Sequence, residues 1–187
     1  MKKILFSTLL SVAVMTTLPS LNAQITSSGA FTVTATIEPC ISLTFVSDGS
    51  GKALASGSGS GTAALDFGNI QAYGYTPPTG VTQALVGSGA SATAFTVSTP
   101  FDVLVMQANT ISTSYTLSAA LNATDANDTW SVGGHAVPST TPVQITALGT
   151  YASATSYAVL LTVPFANNAS TGLLAVSNTI NFVATAN

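Results

Sequence analysis

The chain has 187 residues and little charge: three Lys or Arg and six Asp or Glu, 5% charged in all, against 47% hydrophobic residues. So few cations cannot neutralise a run of phosphates, which excludes nucleic acid as a partner and electrostatic attachment to an anionic membrane as an anchor. The same scarcity leaves few groups for acid–base chemistry, and no cofactor motif stands out.

The chain opens with Met1-Lys2-Lys3, continues through an apolar stretch from Ile4 to about Met15, and reaches Pro19-Ser20-Leu21-Asn22-Ala23. Charged start, short apolar core and small-residue end match a secretory signal peptide over residues 1–23, with cleavage expected after Ala23. That core is too short to span a bilayer, and no later run is long and apolar enough, so no membrane insertion is expected. Once residues 1–23 are removed, Lys52 alone faces Glu38, Asp48, Asp66, Asp102, Asp125 and Asp128. The exported chain then carries a formal charge of about −5.

From Phe31 the sequence alternates, with Phe31, Val33, Ala35 and Ile37 on one face and Thr32, Thr34 and Thr36 on the other. This is the period of a half-buried strand, and residues 24–38 are read as an N-terminal strand that either completes its own sheet or is lent to a neighbour. After Pro39, residues 41–46 alternate again. Cys40, the single cysteine, is expected to be a buried apolar side chain. Residues 47–62 are so rich in Gly and Ser that a mobile loop is expected.

Leu65-Asp66-Phe67-Gly68-Asn69-Ile70 is a compact apolar stretch ending in a turn, and Pro77-Pro78 marks an edge or crossing loop. Residues 81–86, 93–98 and 101–106 are short apolar runs, the last two separated at Ser98-Thr99-Pro100. Tyr115, Leu117, Ala119 and Leu121 alternate as a strand. Trp130 and Val132 precede a hairpin signal at Gly133-Gly134. Further strands are read around Val143 and Ile145, from Tyr157 to Phe165, and at Ile180, Phe182 and Ala184. No stretch carries a helical apolar period. Many short strands at turn-bounded intervals predict an all-β fold over residues 39–187, an immunoglobulin-like antiparallel β-sandwich open to completion by a donor strand, with an antiparallel barrel as the alternative.

Chemistry is hard to find. His135 is the only histidine, with no nucleophile or orienting carboxylate near it in sequence, and one imidazole cannot make a zinc site. Asp125-Ala126-Asn127-Asp128 is oxygen-rich but lacks the spacing of a calcium loop, and an Asx turn is the simpler reading. The Asp66-Phe67-Gly68 tripeptide and the Gly59-Ser60-Gly61 run lack the strand and helix partners that would make them nucleotide-binding motifs. No catalytic, cofactor-binding or metal residue is assigned, and the chain is not read as an enzyme. Tyr73, Tyr75 and Trp130 offer an aromatic face for carbohydrate, which gives the alternative of a secreted binding module.

The segment from Phe31 to Cys40, the motif Leu65-Asp66-Phe67-Gly68 and the closing run Ser177-Asn178-Thr179-Ile180-Asn181-Phe182-Val183-Ala184 together resemble the spore coat protein U-like family, which includes subunits of archaic chaperone–usher pili. The resemblance implies a sandwich lacking one strand, held first by a periplasmic chaperone, then delivered to an outer-membrane usher and completed by the N-terminal strand of the next subunit. Phe31, Val33, Ala35 and Ile37 would then be the donor side chains. It also implies self-association into a pilus-like fibre on the cell surface, after transit through the periplasm, in support of adhesion or biofilm formation. Two features depart from the pattern: the family's second cysteine is missing, and the Gly/Ser stretch before Leu65 is longer.

Overall fold

The computed structural model describes residues 40–73, 76–108, 112–167 and 175–187; the N-terminal strand expected over residues 24–38 lies outside them. Among the described residues the strands are β1 (Ile41–Val46), β2 (Thr82–Val86), β3 (Ala94–Gln107), β4 (Tyr115–Leu121), β5 (Thr129–Val132), β6 (His135–Ala136), β7 (Val143–Gly149), β8 (Ala154–Pro164) and β9 (Ile180–Ala186). Among the described residues the only helical piece is a single 3-10 turn at Gly89–Ser91. Six strands form one sheet in the order β1-β3-β8-β5-β6, with β2 also on β3, and three form a second in the order β7-β4-β9. All pairings are antiparallel. The fold is the all-β antiparallel sandwich that the alternation predicts, and successive strands repeatedly change sheet, as in immunoglobulin-like sandwiches.

The core lies between the sheets. Val97, Val103, Val105, Val159 and Leu161 point in from the larger sheet, and Tyr115, Leu117, Ala119 and Leu121 from the smaller one; all are buried. At about 1.5–3 kcal/mol for each large side chain taken from water, this layer is the main stabilising term. Ser and Thr occupy much of the opposite faces, as period-2 alternation requires.

The 14-residue β3 differs from the sequence reading, which breaks the chain at Pro100. The strand runs through because of where that proline's missing N–H falls. Ala108 N donates to Cys40 O, so the even-numbered backbone groups of β3 face the edge shared by β1 and β2. β2 pairs with Ala94–Ser98 and β1 with Asp102–Gln107, which leaves Pro100 in the gap between them, where no ladder bond is lost.

The same gap orders the Gly/Ser loop, which is pinned rather than mobile. Lys52 N donates to Thr99 Oγ1 (2.7 Å), and Thr99 Oγ1 donates to Gly80 O (2.7 Å), although Thr99 is almost fully buried. Gly51 packs on the Pro100 carbonyl and Gly80 on the Gly51 backbone, both with no room for a β-carbon. Farther along, Ala55 and Ser56 bond to Ala64, and Phe45 bonds to Gly59 and Ser60. A loop of low complexity is thus held by its backbone.

Cys40 is exposed rather than buried. It is an even-numbered neighbour of β1, whose inward side chains are the odd-numbered Ile41, Leu43 and Phe45, so alternation turns the thiol outward. The expected hairpin at Gly133-Gly134 is present; both glycines have positive φ (57° and 81°), the requirement of a two-residue turn joining twisted strands.

Gly149 ends β7 against the face of Tyr115, which is fully buried. A β-carbon there would fall inside the Tyr115 ring. Gly149→Ala is expected to lower unfolding free energy by about 1–3 kcal/mol or more in a urea titration. Gly49→Ala, where nothing lies within 4 Å, is expected to change it by less than about 0.5 kcal/mol.

Candidate functional site

A two-sheet sandwich has two lateral seams where the edge of one sheet meets the edge of the other. In this protein the two seams differ. On one side β7 lies against β6, and the seam is closed by Val137 and Ile145, both buried, with Gly133 allowing close approach to Ile145 and to the Tyr157 ring. On the other side β1 lies against β9, and there the inward side chains Leu43, Phe45, Ile180, Phe182 and Ala184 are only half-buried.

The backbone explains why this second seam is a site. Asn122 N donates to Thr179 O, and Asn187 N donates to Ser114 O, so the odd-numbered groups flanking and within β9 face β4. The N–H and C=O groups of Ile180, Phe182, Ala184 and Ala186 therefore point away from it. On β1 the outward groups are those of Ile41, Leu43 and Phe45. Among the described residues β9 has a strand partner on one edge only, and so does β1; bonds from Gly59 and Ser60 cap Phe45 alone. β9 thus shows a row of outward backbone groups along its length, and β1 shows one at Ile41 and Leu43, with the Gly61 backbone close to the Leu43 carbonyl; the two strands come within 8 Å of each other between Cα atoms, beside apolar side chains. A bare edge of this kind is a template for another strand.

The two edges run in opposite directions. Gln107, opposite Ile41, exchanges hydrogen bonds with Ser112, whose hydroxyl donates to Ser114 O, the acceptor of Asn187 N. The Ile41 end of β1 therefore lies beside the Asn187 end of β9. At the other end, the rings of Phe45, Phe101 and Phe182 form a cluster with centroids 5.3–6.2 Å apart. The floor is thus bulky at Phe182 and shallow at Ala184 and Ala186.

The candidate donor residues Phe31, Val33, Ala35 and Ile37 lie outside the described residues. The aromatic face proposed for carbohydrate is not assembled. Trp130 is buried, and its Nε1 donates to Asp125 Oδ2 (2.9 Å); Tyr73 is exposed, but it stacks on Phe165 at another part of the surface; Tyr75 lies outside the described residues. His135 is exposed at the hairpin. The Asp125 segment is an Asx turn: Asp125 Oδ1 accepts from Asn127 N and Asp128 N (3.0 Å each). Partial burial pushes its carboxyl up, but the Trp130 and backbone donors outweigh this and hold it below the usual range. Asp66 likewise caps a turn, accepting from Gly68 N at 2.7 Å. A polar depression of about 370 Å³ lies between residues 123–128 and 175–178, and donors of its own walls already occupy the Asp125 carboxylate. Among the described residues no group of three His, Cys, Asp or Glu could hold a metal ion.

Sequence separation hides one carboxylate pair, Asp48 and Asp102. The pairing of Val46 with Asp102 brings them together. Asp48 accepts from Ser156 Oγ (2.6 Å) and from both N and Oγ of Ser50, which holds it far below the usual carboxylate range. Asp102 is raised, first by burial and then by the charge of Asp48. These two share one hydrogen-bonded surface site.

No protein-family model matches the chain, and no curated protein matches it.

Because folding raises the Asp102 carboxyl, it favours the protonated form. Stability from this group is complete below its ordinary value of 3.8 and is lost as pH rises through the raised value. Asp102→Asn, which keeps a donor toward Asp48 and removes the charge, is expected to raise the melting temperature at pH 7. The gain should vanish near pH 3. A melting series across this range checks it; a gain independent of pH would show that charge is not the cause.

Proposed function

We propose that the chain is a non-enzymatic structural subunit of a bacterial surface fibre, in which residues 24–38 of one copy fill the β1–β9 seam of the next. The observation that carries this reading is the seam itself: two facing strand edges over a half-buried apolar floor. Length and pattern support residues 24–38 as the occupant. Phe31–Ile37 matches the seven residues of β9, and its four alternate apolar side chains suit the floor, while Thr32, Thr34 and Thr36 would face outward. Burying one aromatic and two β-branched side chains contributes several kcal/mol at about 1.5–3 kcal/mol each, before ordering is counted, and a new ladder satisfies the bare edges.

The rest of the reading follows from the resemblance to spore coat protein U-like pilins. The signal over residues 1–23 sends the chain to the periplasm, a chaperone covers the seam until assembly, and an outer-membrane usher releases the fibre to the cell surface. Adhesion or biofilm formation would follow from display. A secreted carbohydrate-binding module is the weaker alternative, since burial of Trp130 removes one of the three aromatics of its platform.

The test compares the exported chain, residues 24–187, with a chain starting at Pro39, by electron microscopy and size-exclusion chromatography. The longer chain is expected to form fibres and the shorter to stay monomeric, and a peptide of residues 24–38 should bind the shorter chain and raise its melting temperature. Val33→Asp with Ile37→Asp in the longer chain should abolish fibres. A longer chain that stays monomeric, with a shorter one that unfolds and is rescued by the peptide, would assign the strand to its own sheet and overturn the reading.

A further inference from the structure

We infer that Asn127 is an acceptor for an N-linked oligosaccharide, delivered outside the cytoplasm from a lipid-linked pyrophosphate donor. Of the proposed function this rests only on the export expected from residues 1–23, and it is independent of strand donation. The sequence holds three Asn-x-Ser/Thr triplets without proline: Asn122-Ala123-Thr124, Asn127-Asp128-Thr129 and Asn168-Ala169-Ser170. Such a triplet is the minimum an acceptor needs. A chain this rich in Ser and Thr forms several by chance, so their surroundings must separate them. Asn168 lies outside the described residues.

Two features set Asn127 apart. It alone has an acid two residues before it, Asp125, where Asn122 has Ala120 and Asn168 has Ala166. A partly exposed carboxylate at that place offers a cationic subsite of a transferase a charge-assisted hydrogen bond. The backbone differs as well. Asn122 directly follows β4, and its N–H is tied to Thr179 O, whereas Asn127 sits on the bend of the Asp125 Asx turn.

The local structure presents the acceptor ready for use. Asp128 and Trp130 turn inward and are buried, so alternation turns Asn127 and Thr129 outward, and both are exposed. The main chain of Asn127 is held on both sides: its N–H donates to Asp125 Oδ1 (3.0 Å) and its carbonyl accepts from Asn167 Nδ2 (3.0 Å). Its carboxamide has no hydrogen-bond partner among the described residues, so no bond breaks when it enters an active site. Thr129 opens β5 beyond the reach of β6, which pairs only with Ser131 and Val132. Beside Asn127 lies the polar depression between residues 123–128 and 175–178, where Thr124 and Ser177 offer uncharged hydroxyls to a first sugar.

In the transfer, Asn127 Nδ2 forms a bond to the anomeric carbon of that sugar, and the bond from this carbon to the pyrophosphate oxygen breaks. The lipid pyrophosphate leaves with the electron pair, and Nδ2 gives up one proton to a base of the transferase.

The experiment co-expresses the full chain with a bacterial oligosaccharyltransferase that requires an acid two residues before the acceptor, and with its lipid-linked oligosaccharide. The periplasmic product is read by intact mass and peptide mapping. One glycan mass is expected, at Asn127 and not at Asn122. Asn127→Gln and Thr129→Ala should each abolish it, while Thr129→Ser should keep it, with melting temperatures unchanged. The same enzyme and donor in detergent should also modify the purified, folded, unglycosylated chain. No transfer to the folded chain, whether or not a peptide of residues 121–131 is modified, would overturn the inference, and so would transfer to Asn122 in place of Asn127. A chain that never leaves the cytoplasm would overturn export alone, because the detergent reaction tests Asn127 without it.

Discussion

The ladder between β3 and β8 is the interaction on which the rest of the sandwich depends. Eleven successive residue pairs, from Ala94 with Pro164 to Leu104 with Ala154, join the two strands, and each strand carries other elements on its far edge. β1 and β2 share the outer edge of β3, while β5 extends the sheet from β8. Because β3 is long enough to hold two short strands end to end, a gap opens between them at Pro100. A residue with no N–H fits there, and Thr99, Gly51 and Gly80 close the gap from the loops. The fixed course of the Gly/Ser loop and the cap on Phe45 both descend from this arrangement.

Alternation made much of the fold legible. Tyr115 through Leu121, Tyr157 through Val163 and Ile180 through Ala184 each announce a strand with one apolar face, and the double glycine at 133 and 134 announces its hairpin. Legibility fails where a local rule meets a tertiary circumstance. Pro100 reads as a break because a proline in a central strand normally deletes a ladder bond; only the division of the neighbouring edge between β1 and β2 makes it harmless. Residues 47–62 read as mobile because composition reports side chains, whereas this loop is fixed by its main chain. Cys40 reads as buried beside an apolar pattern, but its parity places it on the other face.

The seam is illegible for a different reason. It is built from the first and last described strands, and nothing in either sequence says that they face one another across two sheets. What the sequence does show is an alternating segment, Phe31 to Ile37, outside the described residues. Trp130 could have been placed from sequence: Asp125 lies five residues before it, at the start of an Asx turn, and supplies the acceptor for a buried indole. The Asp48 and Asp102 pair could not, since only the β1–β3 register joins them.

A joint formed at this seam would draw on backbone hydrogen bonds and apolar contact, with no charged side chain among the floor residues. Such terms are barely screened by salt, unlike ion pairs at a surface. From residue 24 onward the sequence holds one lysine or arginine, Lys52, so it has almost no ion pairs to lose when ionic strength or pH changes. Low charge would therefore be an asset to a subunit of the proposed fibre. The exposed Ser and Thr rows keep such a surface hydrated without charge, and the specificity that charge usually provides would fall to apolar side-chain fit along the seam.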